Sequence, residues 1–253
     1  LDTRSNPDSE IINEAKSMGI DIKFSHVVIA AKGYKKVKSA EIAKISEDKK
    51  DLGKIENISC DCICVSGFWT PTIHLASQSG NKTKFNKDID AFVPDQSKQR
   101  ETTLGSANGI FTLEETLKTS FKAGHEISKK ITNNDNKISV PQVSEKKYTQ
   151  HDKFWCVPLP KKKKYKRFLD FQNDVAVTDV ELALREGYRS IEHVKRYTTL
   201  GMATDQGKTS NLNGLQLVSN IENKIVPAVG HTTFRPPYTP VTIGAIVGRE
   251  VGK

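Results

Sequence analysis

Between Ile131 and Asp152 the chain runs through Asn, Asp, Ser, Lys and Gln with a single proline, a composition that cannot bury enough apolar surface to offset the entropy of ordering it. Such a stretch reads as a linker between an upstream and a downstream folded part. Of the 253 residues 36% are apolar, material for one large domain or two ordinary ones.

Several classes of protein fall away at once. The longest apolar stretches, such as Val27 to Ala31 and Ile243 to Val247, are far shorter than the roughly 20 residues of a membrane span. The opening Leu1 to Glu10 lacks both the basic start and the apolar run of a secretory signal, and with no initiator Met it fits a chain cut upstream. The net charge of +9 raises nucleic acid as a partner, but the lysines are dispersed among acidic residues. The one dense block, Lys161 to Lys164 with Lys166 and Arg167, has no interleaved aromatics for base stacking and reads as a solvated loop. Cys60, Cys62 and Cys64 alternate, as in a strand that turns three thiols to one face as small hydrophobes, and lack the Cys-x2-Cys turn of a zinc site. Cys156 stands apart, so cysteine usage fits a reducing cytoplasm.

Local patterns give a coarse order of elements. Ile11, Ile12, Ala15 and Met18 recur at helical spacing before Gly19, and strands are expected over Ile20–Phe24, Val27–Ala31, Tyr34–Lys44 and Ile58–Val65. A helix is expected from Thr112 to Lys130, with Leu113, Thr116, Leu117 and Phe121 on one face, fed by the glycine-rich turn Gly105 to Gly109. Beyond the linker, Thr178 with Glu181 reads as a capping box for a helix ending at Gly187. Ser190 to Tyr197 forms a second helix, and Leu212, Leu215, Val218 and Ile221 line a third, together a small all-α module. Pro236, Pro237 and Pro240 then punctuate the chain.

Two constellations invite chemistry. Gly201 to Thr209 imitates a phosphate-binding P-loop but has five residues between its glycines and comes after a helix, not a strand. The Gly207-Lys208-Thr209-Ser210 run opening a helix still offers backbone N–H groups, hydroxyls and an ammonium suited to an anion, against the alternative of an ordinary helix cap. The other is Val65 to Leu75, where a buried strand is expected to end at Gly67 and the chain turns through Trp69 and Pro71. Ligands of open α/β sheets bind at such strand ends, although a packing turn explains the residues equally well. His74 has no Ser, Cys or carboxylate near it in sequence, which argues against a hydrolytic role.

Taken together these segments resemble one family. The run from Cys62 through Phe68 and Trp69 to Gly80, then Ala91 to Pro94 and Gly105 to Gly109, is similar to the second half of the two-dinucleotide-binding domain of sarcosine oxidase alpha subunits. Asp170 to Val175, Glu192 to Asn211 and Phe234 to Val241 resemble it more specifically. The resemblance implies an α/β fold. In it, residues 1–131 form part of an NAD-binding domain, 132–160 a linker, 161–234 a small helical domain at a flavin and subunit interface, and 235–253 the start of a folate-binding aminomethyltransferase-like domain. It implies NAD in a partial site, FMN shared with the beta subunit, FAD in the beta subunit, and beta, gamma and delta subunits as partners, with no nucleic acid and no membrane. The whole enzyme would oxidise sarcosine with O2 and tetrahydrofolate, giving glycine, H2O2 and methylenetetrahydrofolate. Phe68 stands where relatives often carry a second glycine, which leaves that backbone less free.

The helical module also resembles [2Fe–2S] ferredoxin-like domains of related amine dehydrogenases. Asp170, Gln172, Asp205 and Ser210 then stand where four cysteines would be, so the fold would be kept without its cluster. On this reading Gly67, Trp69, Gly105, Asn108 and Gly109 border a nucleotide. Lys195, Arg196, Thr198, Thr199, Thr204, Gln206, Gly207, Lys208, Thr209, Ser210 and Asn211 wall the FMN site, with Lys208 on its phosphate. An alpha subunit of a dye-linked proline dehydrogenase or opine oxidase fits the same scaffold, and a non-catalytic docking module is the alternative of another class.

Overall fold

A computed structural model describes residues 1–7, 9–67, 69–133, 138–143, 153–160 and 165–249. Phe68, much of the expected linker and the Lys161–Lys164 block lie outside these. The chain forms two compact units, one from Leu1–Phe68 with Lys147–Arg167, the other from Trp69–Lys146 with Phe168–Lys253.

In the first unit α1 (Glu10–Ser17) precedes an antiparallel three-stranded sheet of β1 (His26–Gly33), β2 (Val37–Ile45) and β3 (Leu52–Ser59), ordered β1-β2-β3. The central strand carries the core. Ala40, Ile42, Ala43 and Ile45 are buried, the adjacent pair where the β2–β3 register shifts between Ala43 and Ile45. The ring of Tyr165 lies 5.3 Å from the Lys32 ammonium and its hydroxyl donates to Glu41 on β2.

This sheet corrects three expectations. Ile20–Phe24 is not a strand and contributes only an isolated bridge between Asp2 and Phe24. The third strand lies earlier than Ile58–Val65 and ends at Ser59, because its partner runs out: Ser39 pairs Ser59, and the bond from Cys60 N to Lys38 O closes the ladder. With no neighbour beyond, Cys62 and Cys64 are exposed with their sulfurs 3.8 Å apart, and Val65 is 84% exposed, so no buried strand delivers the chain to Gly67.

The second unit opens with α2 (His74–Gln78) and the hairpin β4 (Thr83–Asn86) and β5 (Ala91–Pro94), closed by Phe85 edge-on to Phe92 at 5.3 Å. A 3-10 turn over Gly105–Asn108 leads through Gly109 to α3 (Leu113–Thr132). Thr112 caps α3 by accepting from Glu115 N, and none of the helix's residues is fully buried. The glycine turn therefore does not form the helix N-terminus but packs on the first turns. A Cβ on Gly105 would lie 3.2 Å from Thr116 Cγ2, and one on Gly109, at φ +78, 2.6 Å from Ile89 Cδ1.

The remainder of this unit is helical but not all-α. A ribbon of β6 (Phe168–Asp170) and β7 (Val175–Ala176) runs into α4 (Val177–Arg185), succeeded by α5 (Ile191–Thr198), α6 (Asn211–Glu222), α7 (Val226–Val229) and α8 (Ile243–Val247). The cap of α4 falls earlier than Thr178: Asp179 accepts from Ala176 N at 2.7 Å, because Val175, Ala176 and Val177 are all drawn into the core. Val180, Ala183 and Val194 have no exposed surface, and burial of each valine contributes on the order of 1.5–3 kcal/mol. Gly214, inside α6, is required by close approach: a Cβ there would sit 2.5 Å from Leu200 Cδ2.

Candidate functional site

The loop between α5 and α6 is built on positive φ. Thr199, Gly201, Gln206 and Gly207 all adopt it, at 64°, 67°, 55° and 71°. A Cβ on Gly201 would lie 2.0 Å from Asn211 Oδ1 and one on Gly207 2.2 Å from Asn211 Nδ2, so the two glycines grip one carboxamide. From outside, the loop is anchored by Asp170, 1% exposed, whose carboxylate accepts from Gln172 N, Asn173 N and Gly201 N. Thr204 donates to Gln172 Oε1 at 2.8 Å. Asp170 and Gln172 thus both support this loop from the β6–β7 turn.

The amides that open α6 are not free, which corrects the expected anion cradle. Asp205 Oδ1 accepts from Gly207 N, and Oδ2 accepts from Thr209 N and Oγ1, while Ser210 N and Asn211 N donate to Gly207 O. An internal carboxylate occupies the position a bound anion would take, and these donors together hold its pKa below the ordinary value even though burial opposes them.

Across the loop lies His74. Its Nε2 is 3.0 Å from Gln206 O, and its ring lies against that of Phe234, tilted by 35° with centroids 3.8 Å apart. Burial lowers its pKa, assisted by the Lys208 and Lys195 charges and opposed by the Gln206 carbonyl and Asp205. The Lys208 ammonium donates to Tyr238 O at 2.8 Å and lies 4.3 Å from the Tyr238 ring. Lys195 reaches Thr233 O at 3.5 Å, and burial, helped by Arg235 and Arg196 against Glu192, lowers its pKa.

Of these, His74, Lys208 and Phe234 border a cavity of about 70 Å³ whose lining also includes Pro71, Phe92 and Asn211. His74 Nδ1, both amide atoms of Asn211 and Thr232 Oγ1 are buried there without partners among the described residues, as is Ser210 Oγ nearby. Each such orphan costs about 1–3 kcal/mol, so the local fold holds polar capacity that it does not use.

The structure brings together Lys195, Thr198, Thr199, Thr204, Gln206, Gly207, Lys208, Thr209, Ser210 and Asn211 on one loop and its flanks. Two of the hydroxyls bond to the backbone of α5: Thr198 Oγ1 donates to Val194 O, and Thr199 Oγ1 to Thr198 O. Arg196 is exposed. Gly67 and Trp69 fall in different units; Trp69 is 64% exposed with its ring 6.4 Å from that of Phe111. Asn108 borders a polar cleft of about 460 Å³ with Lys84, Asp95 and Glu101. Sequence reasoning missed His74, Thr232, Phe234, Arg235 and Tyr238 as neighbours of the loop. The aromatic and basic character of Phe234-Arg235-Pro236-Pro237-Tyr238 was the available signal.

The architecture is that of an α/β chain of the kind seen in the crystal structure of L-proline dehydrogenase from P. horikoshii, with a TM-score of 0.65 at 20% identity over 98% of this chain and 49% of that one. Curated relatives named sarcosine oxidase subunit alpha match most of this chain at 31–36% identity. Residues 164–249 match the sarcosine oxidase A3 domain. The sarcosine oxidase alpha subunit of Rhizobium meliloti strain 1021 is 36% identical over 248 residues, 96% of this chain and 24% of the relative. That of Corynebacterium sp. strain P-1 is 31% identical over 248 residues, 95% of this chain and 25% of the relative. The chain therefore spans about a quarter of the length of these curated relatives. Among the described residues no helix is long and apolar enough to cross a membrane.

Proposed function

We propose that the chain acts within a sarcosine oxidase as part of its alpha subunit, an oxidoreductase that demethylates sarcosine to glycine with O2 and tetrahydrofolate, yielding H2O2 and methylenetetrahydrofolate. The observation that carries this reading is 36% identity over 248 residues to an alpha subunit. On this proposal the enzyme works in the cytoplasm with beta, gamma and delta subunits, FAD sits in beta, and this chain contributes a partial NAD site, one wall of a shared FMN site and surfaces for assembly.

The cavity suits a shared flavin site better than an enclosed one. A volume of about 70 Å³ admits only the edge of a flavin, and the partnerless polar atoms of Asn211, His74 and Thr232 lie on its border. FMN would supply the acceptor that takes electrons and passes them to oxygen. The residues from Lys195 to Asn211 would fix its orientation and exclude water. For the nucleotide, Asn108 is the better-placed group of its turn, since Gly105 and Gly109 are committed to packing.

Lys208→Met in the assembled enzyme tests the flavin wall. FMN occupancy or peroxide production should fall while reduction of FAD by sarcosine continues, and full FMN content with normal peroxide output would refute it. Asn108→Trp should likewise lower NAD content. The L-proline dehydrogenase fold keeps one second reading open, that the oxidised amine is proline or an opine. Substrate-dependent reduction of the complex by sarcosine against proline separates the two.

A further inference from the structure

Helix α3 carries a repeat that its own chain leaves largely uncovered. Leu113, Leu117, Ser120, Gly124, Ile127 and Ile131 follow one another at alternating steps of four and three residues, which sets all six in a single seam along one side of the helix. The seam faces solvent: Leu113 is 52%, Ile127 48% and Ile131 77% exposed. The first half of the helix packs on the 3-10 turn over Gly105–Asn108, where Thr116 lies beside Gly105, whereas every residue from Glu126 to Thr132 is exposed. Exposed apolar residues in a continuous line mark an interaction surface, unlike the same residues scattered singly.

Gly124 sharpens the point. Inside a helix glycine is disfavoured and answers to a close neighbour, as Gly214 of α6 does to Leu200. A Cβ added at Gly124 would meet nothing within 4 Å. Nothing among the described residues therefore calls for a missing side chain there. Together with Ser120, one turn before it, Gly124 thins the middle of the seam, which lets a second helix backbone come close.

The seam is also matched to itself. Reversing a second α3 sets Leu113 level with Ile131 of the other copy, Leu117 with Ile127, and Ser120 with Gly124, so each layer holds a leucine with an isoleucine or two small residues. Two-fold symmetry then puts Phe121 of both copies on one side of the crossing, over the small central layers. Charge selects the same direction. The first turn holds Glu114 and Glu115, the last Lys129 and Lys130. An antiparallel pair lays each acidic end beside the basic end of the other copy and sets the two helix dipoles head to tail, across about 8–10 Å, a distance comparable with the screening length. A parallel pair would bring like ends together.

We propose that α3 is a self-association surface, on which a second copy of this chain docks antiparallel along the seam from Leu113 to Ile131. Such pairing is independent of what the flavin wall binds.

Sedimentation equilibrium of the 253-residue chain, from about 1 to about 200 μM, reads the association. Mass should rise reversibly from 28.1 kDa toward twice that value, as suits an interface at the small end of specific contacts. Ile127→Glu, which puts a charge in the seam, and Gly124→Leu, which fills its thin centre, should each weaken the dimer at least about tenfold, with thermal melting confirming that both variants fold. Lys122→Ala, on the opposite side of the helix, should leave association unchanged. Leu113→Glu and Ile131→Lys should each weaken it, and the two combined in one chain should recover most of the loss, because each altered position then meets its opposite charge. A monomer throughout the range, or a dimer that tolerates Ile127→Glu, overturns the proposal. No recovery in the double variant overturns the antiparallel pairing.

Discussion

Asp170 and Gly201, 31 residues apart, are joined by a 2.9 Å hydrogen bond from the glycine amide to a carboxylate that is 1% exposed. The same carboxylate receives the amides of Gln172 and Asn173, so one side chain ties the β6–β7 turn to the loop before α6. Asp170→Ala leaves three donors without their acceptor and should cost on the order of 3 kcal/mol in chemical denaturation. Asp170→Asn, which keeps one acceptor oxygen, should cost about half as much. Equal stability of all three forms would show that solvent satisfies these amides.

Gly207→Ala should be severe, because it combines a strained φ of +71 with a Cβ 2.2 Å from Asn211 Nδ2. A loss of about 2–4 kcal/mol is expected. Adding Asn211→Ala removes the clash but not the backbone strain, so the double variant should recover part of the loss. Strict additivity of the two single effects would show that the glycine and the carboxamide are not in contact.

His74 gives unit two a sensitivity to acid. Its folded pKa lies below 6.5, chiefly through burial, so the unfolded state takes up a proton first as pH falls. The stability it contributes is present above 6.5 and declines as pH falls through the folded value. Melting temperatures of the native chain should therefore fall across mildly acidic pH more than those of His74→Phe. Parallel profiles would mean that His74 is not the group responsible.

How much of this was legible beforehand differs by element. The helices α3, α5 and α6 announced themselves through Thr112, Ser190 and the Leu212–Ile221 spacing, all local signals. The third strand did not, since the Cys60–Cys64 alternation is a strand pattern with no partner to pair with; where a ladder ends is decided by another strand. The hairpin β4–β5 passed unnoticed because it is only four residues on each side. The residues from Lys195 to Asn211 lie in one run of sequence, so their gathering on one loop follows from their spacing. His74 and Arg235 were not legible in this way, because His74 is 132 residues from its Gln206 partner and only the folded chain brings it there.

Thr112→Ala tests a local signal directly. The hydroxyl accepts from Glu115 N at the start of a helix with no fully buried residue, so little tertiary packing masks the cap. A loss of about 1 kcal/mol is expected, with Thr112→Ser close to wild type. Fraying should appear in amide exchange over Leu113 to Thr116, and unchanged protection there would refute the cap's importance.

Asp205 makes the loop before α6 self-sufficient. Because a resident carboxylate already fills the hollow at that helix terminus, the loop is ordered before any guest arrives, and loading it should impose little further loss of conformational freedom. Recognition at this place would then be that of a finished surface, with selectivity set by what its rim presents and a small calorimetric entropy of ordering.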